Sequence, residues 1–134
     1  MILYRPVGLK ELALIAETNF RAFPPRLPDQ PLFYPVLNFE YAEQIARDWN
    51  ATSGDFAGFV TKFVLVDSYT SRFEVHEVGK QGVHQELWVS AEELVEFNLH
   101  IIGRILIAAA YYGDGFKGEI DPITNLPKSL EVAG

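Results

Sequence analysis

Glu86, Arg5 and Arg26 are the ionisable residues whose neighbours in the chain set them apart from ordinary solvated charges. Glu86 lies in the run Val83 to Val89, which with Phe73 to Val78 flanks Gly79-Lys80-Gln81-Gly82, the pattern of a β-hairpin. A symmetric turn sets Val78 against Val83, Glu77 against His84, Val75 against Glu86 and Phe73 against Trp88. Side chains alternate across a strand, so Glu86 then shares a face with Val75, Phe73 and Trp88. A carboxylate in that company is partly desolvated, which raises its pKa and equips it as an acid, a base or an electrostatic stabiliser. A slip of one residue in register turns Glu86 to water instead, and a Glu77–His84 ion pair is a second structural reading of this face.

Arg5 ends an apolar run, and Arg26 stands in the stiff segment Pro24-Pro25-Arg26-Leu27-Pro28. A guanidinium on rigid backbone engages a carboxylate or a phosphate bidentately with little loss of entropy. A salt bridge to one of the chain's many acids is the structural alternative. Phe33, Tyr34 and Tyr41 offer stacking surface for a planar ring, or else core.

These residues must be positioned by a small set of elements. Ile2 to Val7 reads as a strand, with Pro6 marking an edge or an early end. Leu9 to Thr18 carries Leu9, Leu12, Ile15 and Ala16 at helical spacing. Segment 23–35 holds five of the chain's eight prolines, so it is a stiff extended connection, its end Leu32 to Leu37 reading as a short strand. Asn38 caps a helix from Phe39 to about Trp49, with Ala42, Ile45, Ala46 and Trp49 as its buried stripe. Phe56 to Asp67 is a strand; Ser90 and Glu93 form a capping box for a helix through about Asn98; Gly103 ends that region, and Arg104 to Tyr112 is a final strand. The fold class is α+β, a bent and mainly antiparallel sheet with two or three helices. One globular domain spans 1–112, and 113–134 is a glycine-rich tail, partly ordered or frayed.

Composition narrows the functions. The 134 residues are 49% hydrophobic and 22% charged, as in an ordinary globular domain. A formal charge of −7 without clustered Lys or Arg disfavours nucleic acid as a partner. The absence of cysteine removes disulfides and thiol chemistry, and His76, His84 and His100 lack metal-ligand spacing. The N-terminus shows no signal-peptide pattern and no apolar run is long enough to span a bilayer, so a cytoplasmic location is expected.

The runs Leu3-Tyr4-Arg5-Pro6-Val7-Gly8-Leu9, Phe20-Arg21-Ala22-Phe23-Pro24-Pro25-Arg26-Leu27-Pro28, Phe33-Tyr34-Pro35-Val36-Leu37-Asn38 and Gln85-Glu86-Leu87-Trp88-Val89-Ser90 resemble a small bacterial family labelled "ADP-ribosylation/crystallin J1". The resemblance covers roughly residues 2 to 112. The order of parts also resembles, loosely, the ADP-ribosyltransferase fold, with Arg5 on the first strand, Tyr34 and Tyr41 as the aromatics and Glu86 on a later strand. That resemblance implies NAD as substrate, Arg5 and Arg26 on its phosphates, Tyr34 and Tyr41 beside nicotinamide, and Glu86 stabilising an oxocarbenium-like ribose. His84 stands two residues before Glu86, where a Gln or Glu would be usual, and counts among the cofactor contacts. Two other readings stay open: a non-enzymatic interaction module docking through segment 23–35, and an assembly subunit whose 104–112 strand or tail joins a neighbour's sheet.

Overall fold

A computed structural model describes residues 1–78 and 84–130 of the chain. Its centre is a three-stranded antiparallel sheet in the order β1 (Ile2–Gly8), β3 (Ala57–Leu65), β7 (Ile101–Tyr112). β1 is an edge strand of this sheet, which suits Pro6, a residue with no backbone N–H to give. Alternation along β1 buries Leu3, Arg5 and Val7 on one face. Opposite them on β3 stand Phe63, Thr61 and Phe59, and these residues meet Leu12 and Ile15 of α1 (Leu9–Glu17) in the main core.

The other face of β1 and β3 is covered by α2 (Phe39–Asp48), through Val60, Ala42 and Ala46. The Asn38 side chain accepts a hydrogen bond from the Tyr41 backbone N–H at 2.8 Å and so starts this helix as expected. Gly58 lets the helix approach: a Cβ there would lie 2.0 Å from the Ala46 carbonyl oxygen. Trp49 departs from the expected stripe. It falls after the last turn and is 71% exposed, the buried work being done by Ala42 and Ala46.

Segment 32–37 joins the central sheet to the rest. Leu32 and Phe33 form β2 and pair with β6 (Val89–Ser90), and Val36 continues the same register to Glu86. On its other side Val36 exchanges both backbone hydrogen bonds with Tyr4 of β1, at 2.9 and 2.7 Å. The result is an α+β arrangement of antiparallel sheets, as alternation and the hairpin pattern predict.

The hairpin itself differs in register. Its turn, 79–82, lies outside the described residues, but β4 (Val75–Glu77) pairs with β5 (Gln85–Leu87) as Val75 with Leu87, His76 with Glu86 and Glu77 with Gln85. That is one residue away from the symmetric pairing, so His76, not Val75, faces Glu86. Leu87 and Phe73 go to the core instead, and their burial selects this register.

Three further features depart from expectation. α3 (Asp67–Thr70) is an additional short helix, and with α4 (Leu94–Leu99) it brings the number to four among the described residues. Ser90 accepts from the Glu93 N–H, as the capping box requires, but the first turn is a 3-10 turn. Gly103 does not end an element; it sits inside β7 with φ +72, next to a register irregularity opposite Lys62 and Val64. Residues 113–130 lie against the core through Phe116, Leu126 and Leu130. No helix among the described residues is long and apolar enough to cross a membrane.

Candidate functional site

Arg5, Tyr34, Tyr41 and Glu86 line one open cavity of about 430 Å³, with Pro6, Val36, Ile45, Val78 and Trp88 completing its walls. Five separate stretches of the chain supply these walls, and segment 32–37 is the seam that brings them together. Val36 places Glu86 and Tyr4 on its two sides, Tyr34 precedes it, and Asn38 launches the helix that carries Tyr41 and Ile45.

Glu86 is 8% exposed and its two oxygens are separately held. Oε1 accepts from the Trp88 indole N–H at 2.8 Å, and Oε2 accepts from the Tyr41 hydroxyl at 3.2 Å. Both partners are donors, which suits a carboxylate, and each oxygen keeps a lone pair for a further donor or a cation. Burial, followed by the neighbouring Glu86 charge, raises the Tyr41 pKa, so the phenol stays a donor over the neutral range.

The aromatic walls are arranged as corners and stacks. Tyr34 and Trp88 meet edge-on, with centroids 6.4 Å apart and planes at 88°. His76 stacks on Trp88 at 3.8 Å and His84 stacks on Tyr41 at 4.3 Å. His84 thus lies behind a wall of the cavity and does not line it.

Arg5 is committed inside the protein. Its Nε and Nη2 donate to the two carboxylate oxygens of Glu11 at 2.6 and 3.0 Å, and its guanidinium lies 4.5 Å above the Phe33 ring. Glu11 is in the first turn of α1, a favourable place for a negative charge. Neither bond uses Nη1. Arg26 is set back from the cavity lining: its Nε donates to the Leu32 carbonyl at 3.0 Å, and burial, then the like charge of Arg5, lower its pKa. Phe33 is core, 1% exposed.

Sequence reasoning left Trp88 and Glu11 out of the site. Trp88 was legible through its shared face with Glu86. Glu11 was legible only as one acid among many, because a strand-to-helix contact leaves no spacing signature. Comparison with family models, with curated proteins and with solved structures finds no match.

Proposed function

We propose that this cavity binds an NAD-type nucleotide and that Glu86 serves an ADP-ribosyltransferase-like cleavage of its glycosidic bond. The observation that supports this reading is the convergence of Arg5, Tyr34, Tyr41 and Glu86 on one cavity of ligand size. In that chemistry the bond from ribose C1′ to the nicotinamide nitrogen breaks, its electron pair neutralises the pyridinium, and C1′ becomes an oxocarbenium. A buried carboxylate opposite C1′ stabilises that charge until water or an acceptor attacks and releases a proton. The Nη1 side of Arg5 is the part of its guanidinium left to meet a phosphate, and Tyr34 or Trp88 supplies the ring against which nicotinamide stacks.

The test is chromatographic measurement of nicotinamide released from NAD by the wild-type protein and by Glu86→Gln. Release that is lost in a folded Glu86→Gln protein still able to bind NAD supports the role; unchanged release removes Glu86 from the mechanism.

A second reading has its own observation. An apolar groove of about 480 Å³ runs between Pro24-Pro25 and α4, with Leu14, Val95 and Leu99 exposed along it. It supports the interaction-module alternative through the front of segment 23–35. The segment's aromatics do not serve such docking well, since Phe23 and Phe33 are turned into the core.

A further inference from the structure

We infer that the Glu86 end of this cavity is a receptor for a weakly hydrated organic cation, an N-alkylated pyridinium or a quaternary ammonium, in preference to a neutral group of the same shape. The inference rests on reading the cavity as a ligand site, but not on the ligand being NAD.

Charge is the first reason. Arg5 and Glu86 are the only side chains of strongly ionising type that line the cavity among the described residues. Arg5 is matched by the two oxygens of Glu11, and Arg26 is set back on the Leu32 carbonyl. Among the described residues Glu86 forms no ion pair: its partners are the neutral indole N–H of Trp88 and the hydroxyl of Tyr41. A carboxylate buried to 8% exposure and held only by neutral donors retains a field that a guest cation can satisfy.

Shape and surface are the second reason. Tyr41 and Trp88 hold the carboxylate, and Tyr34, in the same cavity, forms a right-angled corner with Trp88. Ring faces attract a cation through their quadrupole, most strongly where water is excluded, and several rings around one carboxylate are the arrangement that binds alkylated ammonium groups. The imidazoles stacked behind Trp88 and Tyr41 hold those rings in place before a ligand arrives, so little ordering is left to the binding step.

The same features argue against a hard metal ion. The described residues contain no group of three carboxylate or imidazole side chains able to hold one, and an apolar wall of Val36, Ile45 and Val78 gives no oxygen ligands from its side chains. A lysine-like ammonium is strongly hydrated and gains less from such walls than an alkylated nitrogen does.

Pairs of probes that differ in charge but not in shape test the inference by calorimetry on the full chain. N-methylnicotinamide is set against nicotinamide, and choline against 3,3-dimethylbutanol. At least one cation should bind about tenfold more tightly than its neutral twin, a difference of about 1.4 kcal/mol. Glu86→Gln should erase the preference while leaving the neutral twin within about twofold. Tyr34→Leu, which breaks no hydrogen bond to Glu86, should reduce it too and guards against a Glu86 variant that fails to fold. Preference for the pyridinium alone identifies the cation as a nicotinamide-type ring; preference for choline with no binding of NAD sinks the nucleotide reading and upholds this one. Equal affinity within both pairs overturns the inference even if NAD itself binds, as does failure of both cations to bind.

Discussion

Glu86 of β5 and Trp88, which lies between β5 and β6, are joined by a 2.8 Å hydrogen bond from the indole N–H to carboxylate Oε1. The bond makes an aromatic wall of the cavity and its buried charge a single unit. Trp88→Phe keeps the ring and removes the donor, leaving one oxygen of a buried carboxylate short of a partner. The variant should lose about 1–2 kcal/mol in urea denaturation, toward the low end because Trp88 is 44% exposed and water can partly replace it. Unchanged stability would show that the bond does not hold in solution.

Glu11 fixes the charge state of the cavity from behind. Glu11→Gln leaves the Arg5 guanidinium, itself 8% exposed, without its counter-charge, and should cost roughly 3 kcal/mol. The freed positive charge should also weaken any cationic ligand and strengthen inorganic phosphate. Calorimetric titration with each ligand reads both shifts, and a variant with wild-type stability and affinities would contradict the assignment of Glu11 as the partner of Arg5.

Gly58 holds the helix that carries Tyr41 against the sheet. In Gly58→Ala the new Cβ would lie 2.0 Å from the Ala46 carbonyl oxygen and 2.9 Å from Asn50 Cβ, so α2 must move away. Stability should fall by at least about 2 kcal/mol, and the hydrogen bond from Tyr41 to Glu86 should be lost with it. Full retention of both would mean that the helix packs less closely than this.

Tyrosines set the alkaline limit of the fold. Burial, aided at Tyr69 by the charges of Glu93 and Glu96 and at Tyr111 by its bond to Glu43, pushes Tyr69, Tyr111 and Tyr112 up to about 12. Unfolded tyrosine titrates near 10, so between these values the native state binds more protons than the unfolded one. Stability is therefore whole below about pH 10 and falls as pH rises toward 12. Tyrosinate absorbance followed alongside far-ultraviolet circular dichroism checks the sign: unfolding should accompany ionisation of these residues. Their ionisation near pH 10 in a protein that stays folded would contradict it.

Much of this was legible because local rules and tertiary packing agree. Asn38 caps α2, Ser90 and Glu93 cap the next helical segment, and alternation along β1 puts Arg5 among core residues. The same residues that stand out in the sequence, Arg5, Tyr34, Tyr41 and Glu86, come together around one cavity. What was not legible depends on contacts between distant parts. The hairpin register is chosen by the burial of Leu87 and Phe73, which no turn rule contains, and it replaces Val75 with His76 opposite Glu86. Trp49 reads as part of an apolar stripe, yet the helix ends before it and the sheet is already covered by alanines. The Arg5–Glu11 pair joins a strand to a helix, and the cavity is held together by Val36, an inconspicuous residue bridging Tyr4 and Glu86.

The chain's two tryptophans provide an internal control for the central claim, that these residues form one ligand cavity. The Trp88 indole N–H faces Glu86 at the cavity wall, whereas Trp49 is 71% exposed and does not line that cavity. The measurement is a ¹H–¹⁵N spectrum of both indole N–H groups during titration with NAD. A saturating shift of the Trp88 resonance with Trp49 stationary is the expected result, and it should persist in a Glu86→Gln protein that has lost turnover. No movement of Trp88 at millimolar NAD, or equal movement of both resonances, would contradict the nucleotide site.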